Sequence, residues 1–382
     1  MNESNANEGR SRTALSLFTG AGGLDLGFEQ AGFRHLEAID FDHWSVETLR
    51  KNRPEWSPKE ADATKYFPEI DTTPDVLLAG PPCQGFSLGG SRKTDDPRNL
   101  LYREVIRVAR LTRPRVVLIE NVLNLRTMRA PDTGRPFVHE FAEGFRAIGY
   151  DVQWQIFSVA GYGAPQTRRR FIFFAALGRL PKGFAFPEPS QREETIRSHL
   201  YDLAQATIDP PSLPNHEPKW GFHSRVHEAT GGSFDPSAEV VPVRFSRTAS
   251  DGYPIRSFDC PFPAVDTATV WGWAQGNVAA NRIKRSEKDV APSTSKYANP
   301  PLWRLRAVRF RKMTPREFAR LQTFPDDWEF VGGTAERDIL KQVGNAVPVE
   351  FARRLGLFTQ KVLDAIEGQN SMVPPVRQMM LW

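Results

Sequence analysis

Unbroken apolar runs alternate with polar, helix-compatible stretches through the first half of the chain. Strand-like runs fall at 13–18, 35–39, 75–79 and 115–119, and helical segments such as 98–112 lie between them. That rhythm predicts βαβ units and a mostly parallel sheet. Before it stands a polar tail, Met1 to Arg12, expected to be disordered. Around Phe186-Pro187-Glu188-Pro189 the prolines interrupt any regular element, which places a boundary between Leu180 and Pro189. Asp209-Pro210-Pro211-Ser212-Leu213-Pro214 reads as irregular loop. Residues 220–305, rich in Gly, Arg and aromatics, read as a small, loop-rich domain of short strands. From 308 the pattern turns helical. Thr314 is a candidate N-cap with Pro315 at the first helical position and Glu317 three residues on, and a last helix is expected from about Val349 to Glu367. The expected division is a tail at 1–12, a first domain at 13–184, an inserted domain at 185–305 and a C-terminal segment at 306–382.

The strand ends carry the candidate chemistry. Asp75-Val76-Leu77-Leu78-Ala79 runs into Gly80-Pro81-Pro82-Cys83-Gln84-Gly85-Phe86-Ser87, where two prolines fix φ and aim a cysteine at the carboxyl edge of a sheet. Val116-Val117-Leu118-Ile119 ends in Glu120-Asn121-Val122. A thiol and a carboxylic acid on one rim suit attack on an electron-poor ring that is protonated elsewhere. At the amino terminus, Thr13 to Phe18 leads into Thr19-Gly20-Ala21-Gly22-Gly23-Leu24, the strand, glycine-rich turn and helix start that a nucleotide-type cofactor requires. It is not the full pyrophosphate fingerprint, which disfavours nicotinamide and flavin. Asp40 ends a second strand, where it can accept from ribose hydroxyls. Phe41 can stack on an adenine, and Asp62 can accept from its amino group.

These blocks resemble, in order, those of the DNA cytosine C5-methyltransferases of bacterial restriction-modification systems. Further matches are Gln166-Thr167-Arg168-Arg169-Arg170, Thr314-Pro315-Arg316-Glu317 with Ala319-Arg320-Leu321-Gln322 and Phe324-Pro325-Asp326, and Gln342-Val343-Gly344-Asn345-Ala346-Val347-Pro348. The resemblance spans 13 to 176 and 308 to 365. It implies a Rossmann-like α/β domain dependent on S-adenosylmethionine, with 185–305 as a target recognition domain. Cys83 would add to cytosine C6, Glu120 would protonate N3, Arg168 or Arg170 would hold the O2 edge, and Asn121 would orient the Cys83 loop. The cofactor would lie among Phe18, Gly20, Gly22, Gly23, Leu24, Asp40, Phe41, Asp62, Pro81, Asn345 and Ala346. Double-stranded DNA would be contacted by Ser87 and by arginines of the middle segment, with Arg244, Arg247, Arg256 and Arg282 as candidates for guanine. The target base would have to leave the stack. Ala264 stands where the family's late Thr-Leu type pair is expected, and Thr269-Val270 lies five residues on.

Composition refines this picture. The chain of 382 residues carries formal charge +5, and arginine outnumbers lysine about three to one, which suits phosphate clamping and guanine reading. Two cysteines, Cys83 and Cys260, imply a reducing cytoplasm without a disulfide framework, and Cys260 reads as structural. No apolar run is long enough for a bilayer, and no Cys/His cluster has metal spacing. A monomer working beside a cognate restriction endonuclease is the expected setting. A tRNA cytosine-5 methyltransferase is the rival reading, opposed by the size of the 185–305 insert. A catalytically dead DNA-binding paralogue is the other rival, opposed by Cys83, Glu120, Arg168 and Arg170.

Overall fold

A computed structural model describes residues 11–82, 100–130, 133–190, 192–206, 211–219, 221–222, 240–245, 253–254, 258–265, 270–276, 282–283, 302–303 and 308–371. The chain divides into two compact units, each discontinuous in sequence. The first comprises residues 1–157, 170–188 and 351–382, and the second residues 158–169 and 189–350.

In the first unit seven strands form one sheet, buried through its centre and partly exposed toward its edges. They are β1 (Thr13–Leu17), β2 (Arg34–Asp40), β3 (Pro58–Glu60), β4 (Val76–Ala79), β5 (Val116–Asn121), β6 (Tyr150–Ser158) and β7 (Arg169–Leu177), in the sheet order β3-β2-β1-β4-β5-β7-β6. The pairs β3/β2, β2/β1, β1/β4 and β4/β5 are parallel, while β7 runs antiparallel to β5. Chain order reverses between β1 and β4, so connections leave those two strands in opposite directions and open a crevice at their carboxyl ends.

Helices α1 (Gly23–Gln30), α2 (His43–Asn52), α3 (Tyr102–Thr112) and α4 (Phe137–Ala147) cover the sheet. The core joins Val105, Val108 and Ala109 of α3 to Phe141 and Phe145 of α4 and to Val117, Ile119 and Phe173 of the sheet. Tyr102 stacks on Phe141 with ring centroids 4.3 Å apart. Within 98–112 the helix begins at Tyr102. It stops where Arg113 turns left-handed at φ 51°, because a residue before Pro114 is driven out of the helical region.

The second unit holds two antiparallel sheets. One is ordered β8-β14-β11-β9, from β8 (Gly221–Phe222), β9 (Val241–Phe245), β11 (Val270–Gly276) and β14 (Val308–Lys312); the other is β10-β13-β12, from β10 (Tyr253–Pro254), β12 (Arg282–Ile283) and β13 (Leu302–Trp303). It also contains α5 (Ile196–Gln205), α6 (Pro315–Leu321) and α7 (Glu336–Asn345). The turn to helix comes later than the expected 308. Val308-Arg-Phe-Arg-Lys alternates with period two and pairs with β11, so helix begins only at Pro315. There the capping box is present: Glu317 N donates to Thr314 Oγ1, and Thr314 N donates to Glu317 Oε2 at 2.7 Å. Glu317 is also paired with Arg311 at 2.7 Å, both side chains fully buried. Cys260 is buried and free of disulfide.

The last helix, α8 (Val349–Ser371), outruns the expected Glu367 and from Phe351 onward belongs to the first unit. Gly356 lets it lie flush on α1, since a Cβ there would come within 2.6 Å of the Ala31 Cβ. Arg12, the end of the segment expected to be a disordered tail, is ordered by that helix. It donates to the Gln360 carbonyl at 2.7 Å and pairs with Asp364 at 2.5 Å and Glu367 at 2.9 Å. Among the described residues no helix is long and apolar enough to cross a membrane.

Candidate active site

The cofactor-type residues of the first unit converge at the carboxyl ends of β1, β2 and β4. After β1, Phe18 takes φ 56°, an uncommon left-handed conformation for a residue with a side chain. Gly20 (φ 56°) and Gly22 (φ 81°) are left-handed too, and Gly22 caps α1 without a side chain. This tight turn is locked by Asp40, whose Oδ2 accepts from Gly20 N at 2.7 Å while Oδ1 accepts from Asp42 N at 2.7 Å. Burial pushes the Asp40 carboxyl above the ordinary range, against the pull of those amide donors. Beside it Phe41 is 75% exposed, a large aromatic ring presented to solvent.

Asp62 follows at once in space, because Ala61 N donates to the Asp40 carbonyl at 2.9 Å. Its Oδ1 accepts from Thr64 N at 2.9 Å and Thr64 Oγ1 at 2.8 Å, and these bonds hold its carboxyl below the usual range. Gly23, Leu24 and Pro81 are buried; a Cβ on Gly20 would meet nothing within 4 Å. The turn thus offers open space beside main chain, a carboxylate and an exposed ring.

The acid lies on the same rim. Glu120 sits on β5 two positions diagonal to Arg170 on β7, since the register pairs Glu120 with Ile172. Their side chains form an ion pair, 12% and 13% exposed. Burial raises the Glu120 carboxyl above its ordinary value, more than Arg170 pulls it down. Gly80 lies beside this pair: a Cβ there would meet Glu120 Oε2 at an ordinary 3.9 Å and crowd the Phe18 carbonyl at 3.3 Å. Asn121 is buried and donates to the Pro81 carbonyl at 3.3 Å, while its own Oδ1 accepts from Val122 N at 2.7 Å. It therefore fixes the main chain two residues before Cys83.

Cys83, Ser87, Arg247 and Arg256 lie outside the described residues. Arg244 is in β9 opposite Trp271, and Arg282 is in β12 opposite Trp303.

Arg168, Asn345 and Ala346 belong to the second unit. Arg168 is buried, and its Nη1 donates to the carbonyls of Val265 at 3.0 Å and Gly344 at 2.8 Å. Asn345 is exposed at the end of α7, and Ala346 is buried. A buried amide hub, which the sequence does not announce, joins these motifs. Gln166 Nε2 donates to Gln322 Oε1 at 2.9 Å, and Gln322 Nε2 donates to the Val343 carbonyl at 2.7 Å.

Residues 13–360 match the model of the C-5 cytosine-specific DNA methylase family. The chain belongs to that family. It is a DNA (cytosine-5)-methyltransferase. Among its relatives, the Type II methyltransferase M1.HphI of Haemophilus parahaemolyticus is 32% identical over 375 residues, covering 94% of this chain and 88% of the relative. The Type II methyltransferase M.NgoMIV of Neisseria gonorrhoeae is 29% identical over 360 residues, covering 94% and 99%. The fold of the methyltransferase is shared with a solved E. coli prophage-encoded DNA modification methyltransferase at TM-score 0.62 and 21% identity, covering 93% of this chain and 100% of that one. The S. pombe Dnmt2 methyltransferase has the same fold at TM-score 0.55 and 17% identity, covering 94% and 99%.

Proposed function

We propose that the enzyme takes its methyl group from S-adenosylmethionine and transfers it to C5 of a cytosine flipped out of duplex DNA, through a covalent bond to Cys83. The observation that carries this reading is the sheltered Glu120–Arg170 pair on the rim beside Gly80-Pro81. Burial raises that carboxyl and so favours the protonated form that would give its proton to cytosine N3 as charge builds on the ring. Arg170 then faces the O2 edge, a preorganised positive charge. Arg168, committed to the carbonyls of Val265 and Gly344, is an anchor rather than a second ring contact.

Phe41, Asp40 and the Gly20–Gly23 turn would hold the adenosine part of the donor, with Asp62 toward its amino group. S-adenosylmethionine supplies an electrophilic methyl group. The protein's part is to make C5 a nucleophile: the Cys83 thiolate forms a bond to C6, and the C5–C6 π electrons move toward C5. After methylation, which leaves the donor as S-adenosylhomocysteine, loss of the C5 proton returns its electron pair to the ring as the S–C6 bond breaks and N3 gives its proton back to Glu120, releasing thiolate and 5-methylcytosine.

Residues 185–305 read the target sequence in this proposal, and the Type II relatives support a place in a restriction-modification pair. DNA carrying 5-fluorocytosine tests the chemistry, because fluorine cannot leave as a proton does. Incubation with S-adenosylmethionine should trap an adduct on Cys83 by peptide mass spectrometry. Turnover of fluorinated DNA without an adduct would refute the mechanism. Equal labelling of tRNA and duplex DNA would overturn the substrate.

A further inference from the structure

We propose that Arg107 of α3 is a positioning residue for the methyl-donor site, setting the turn that carries Asp62. The inference rests on the reading that Asp62 faces the adenine amino group. One guanidinium nitrogen of Arg107, Nη2, donates to two carbonyls of that turn, Ala63 and Tyr66, each at 2.8 Å. Its Nε is fixed by Glu104 one turn earlier on the helix at 2.6 Å, and its guanidinium carbon stands 5.1 Å from the centroid of the exposed Phe67 ring.

The turn has two other anchors, and neither fixes its middle. At the start, Ala61 N is bonded to the Asp40 carbonyl. At the end, the Tyr66 hydroxyl is bonded to buried Glu37. Asp62, Thr64 and Lys65 close a short loop on themselves, with Lys65 N donating to the Asp62 carbonyl at 2.9 Å. Arg107 reaches both sides of that loop and converts a local turn into a fixed platform. A lysine has no second arm for Glu104 while it holds both carbonyls. The helix that bears Arg107 follows directly the segment containing Cys83, so the donor turn is referenced to the helix that ends the nucleophile's segment.

Arg107→Gln should raise the dissociation constant for S-adenosylmethionine, measured by calorimetry on the full chain, about tenfold. KM for the donor should rise in parallel, with kcat at saturating donor within about twofold of wild type. Arg107→Lys should fall between the two and serves where the glutamine variant does not fold. A purely structural role would not alter base recognition. Wild type should prefer S-adenosylmethionine over the 6-oxo inosine analogue, and that preference should shrink in Arg107→Gln. Unchanged donor affinity and preference in the Arg107 variants, with Asp62→Ala weakened, would overturn the role of Arg107. Asp62→Ala with wild-type affinity would instead remove the reading of the donor site on which it rests.

Discussion

Arg170 on β7 pairs with Glu120 on β5 across two antiparallel strands, and the pair is sheltered while the acid is still raised above its ordinary value. Burial and ion pairing act oppositely on the carboxyl, and burial wins. The methyl-transfer rate should therefore fall on the alkaline side as Glu120 loses its proton. Arg170→Leu removes the cation that lowers Glu120, so the alkaline limb should move to higher pH while kcat falls at least about tenfold. Glu120→Gln should abolish the limb and lower kcat by orders of magnitude at nearly unchanged DNA affinity. A pH–kcat profile that keeps the same alkaline limb in Glu120→Gln would assign that limb elsewhere.

In the proposed donor site Asp40 would act as a carboxylate, and burial raises its titration. Donor affinity should fall on acidification at a pH above the ordinary aspartate range. Asp40→Ala should weaken binding at neutral pH by about one to two orders of magnitude, the worth of charge-assisted bonds. Calorimetry checks both.

Asn121→Leu leaves the Pro81 carbonyl without its donor. The expected result is a loss of about 1–3 kcal/mol in stability and a kcat reduced more than the affinity for the donor, because the main chain leading to Cys83 is no longer fixed. Denaturant unfolding and steady-state kinetics on one preparation separate the two effects.

Gln322→Leu should strip the Val343 carbonyl of its side-chain donor and leave one buried Gln166 donor without its acceptor. The unfolding midpoint should drop by an amount equivalent to about 2–4 kcal/mol. A neutral outcome would show that the hub is not an energetic support.

The first unit was largely legible, because a buried parallel strand is a continuous apolar run and its polar terminus announces the rim. Asp40, Glu120 and the glycine turn fall where that pattern places them. Residues 308–312 were not legible as strand, since two arginines alternate with apolar residues directly before a strong helix cap. The different settings of Arg168 and Arg170 were hidden too. Arg170 lies two residues into β7 and follows its alternation, whereas Arg168 precedes the strand and finds its partners at Val265 and Gly344, far along the chain. Gln166 and Gln322 form their hub across 156 positions, a separation no local pattern encodes.

Bisulfite sequencing of DNA from a bacterial host expressing the wild-type chain or Cys83→Ser tests cytosine methylation through Cys83 most directly. Wild type should protect cytosines in one sequence context, and the serine variant, folded and binding S-adenosylmethionine, should protect none. Unprotected DNA in cells holding folded, donor-binding wild-type protein, or equal protection by Cys83→Ser, would contradict covalent cytosine methylation by this enzyme.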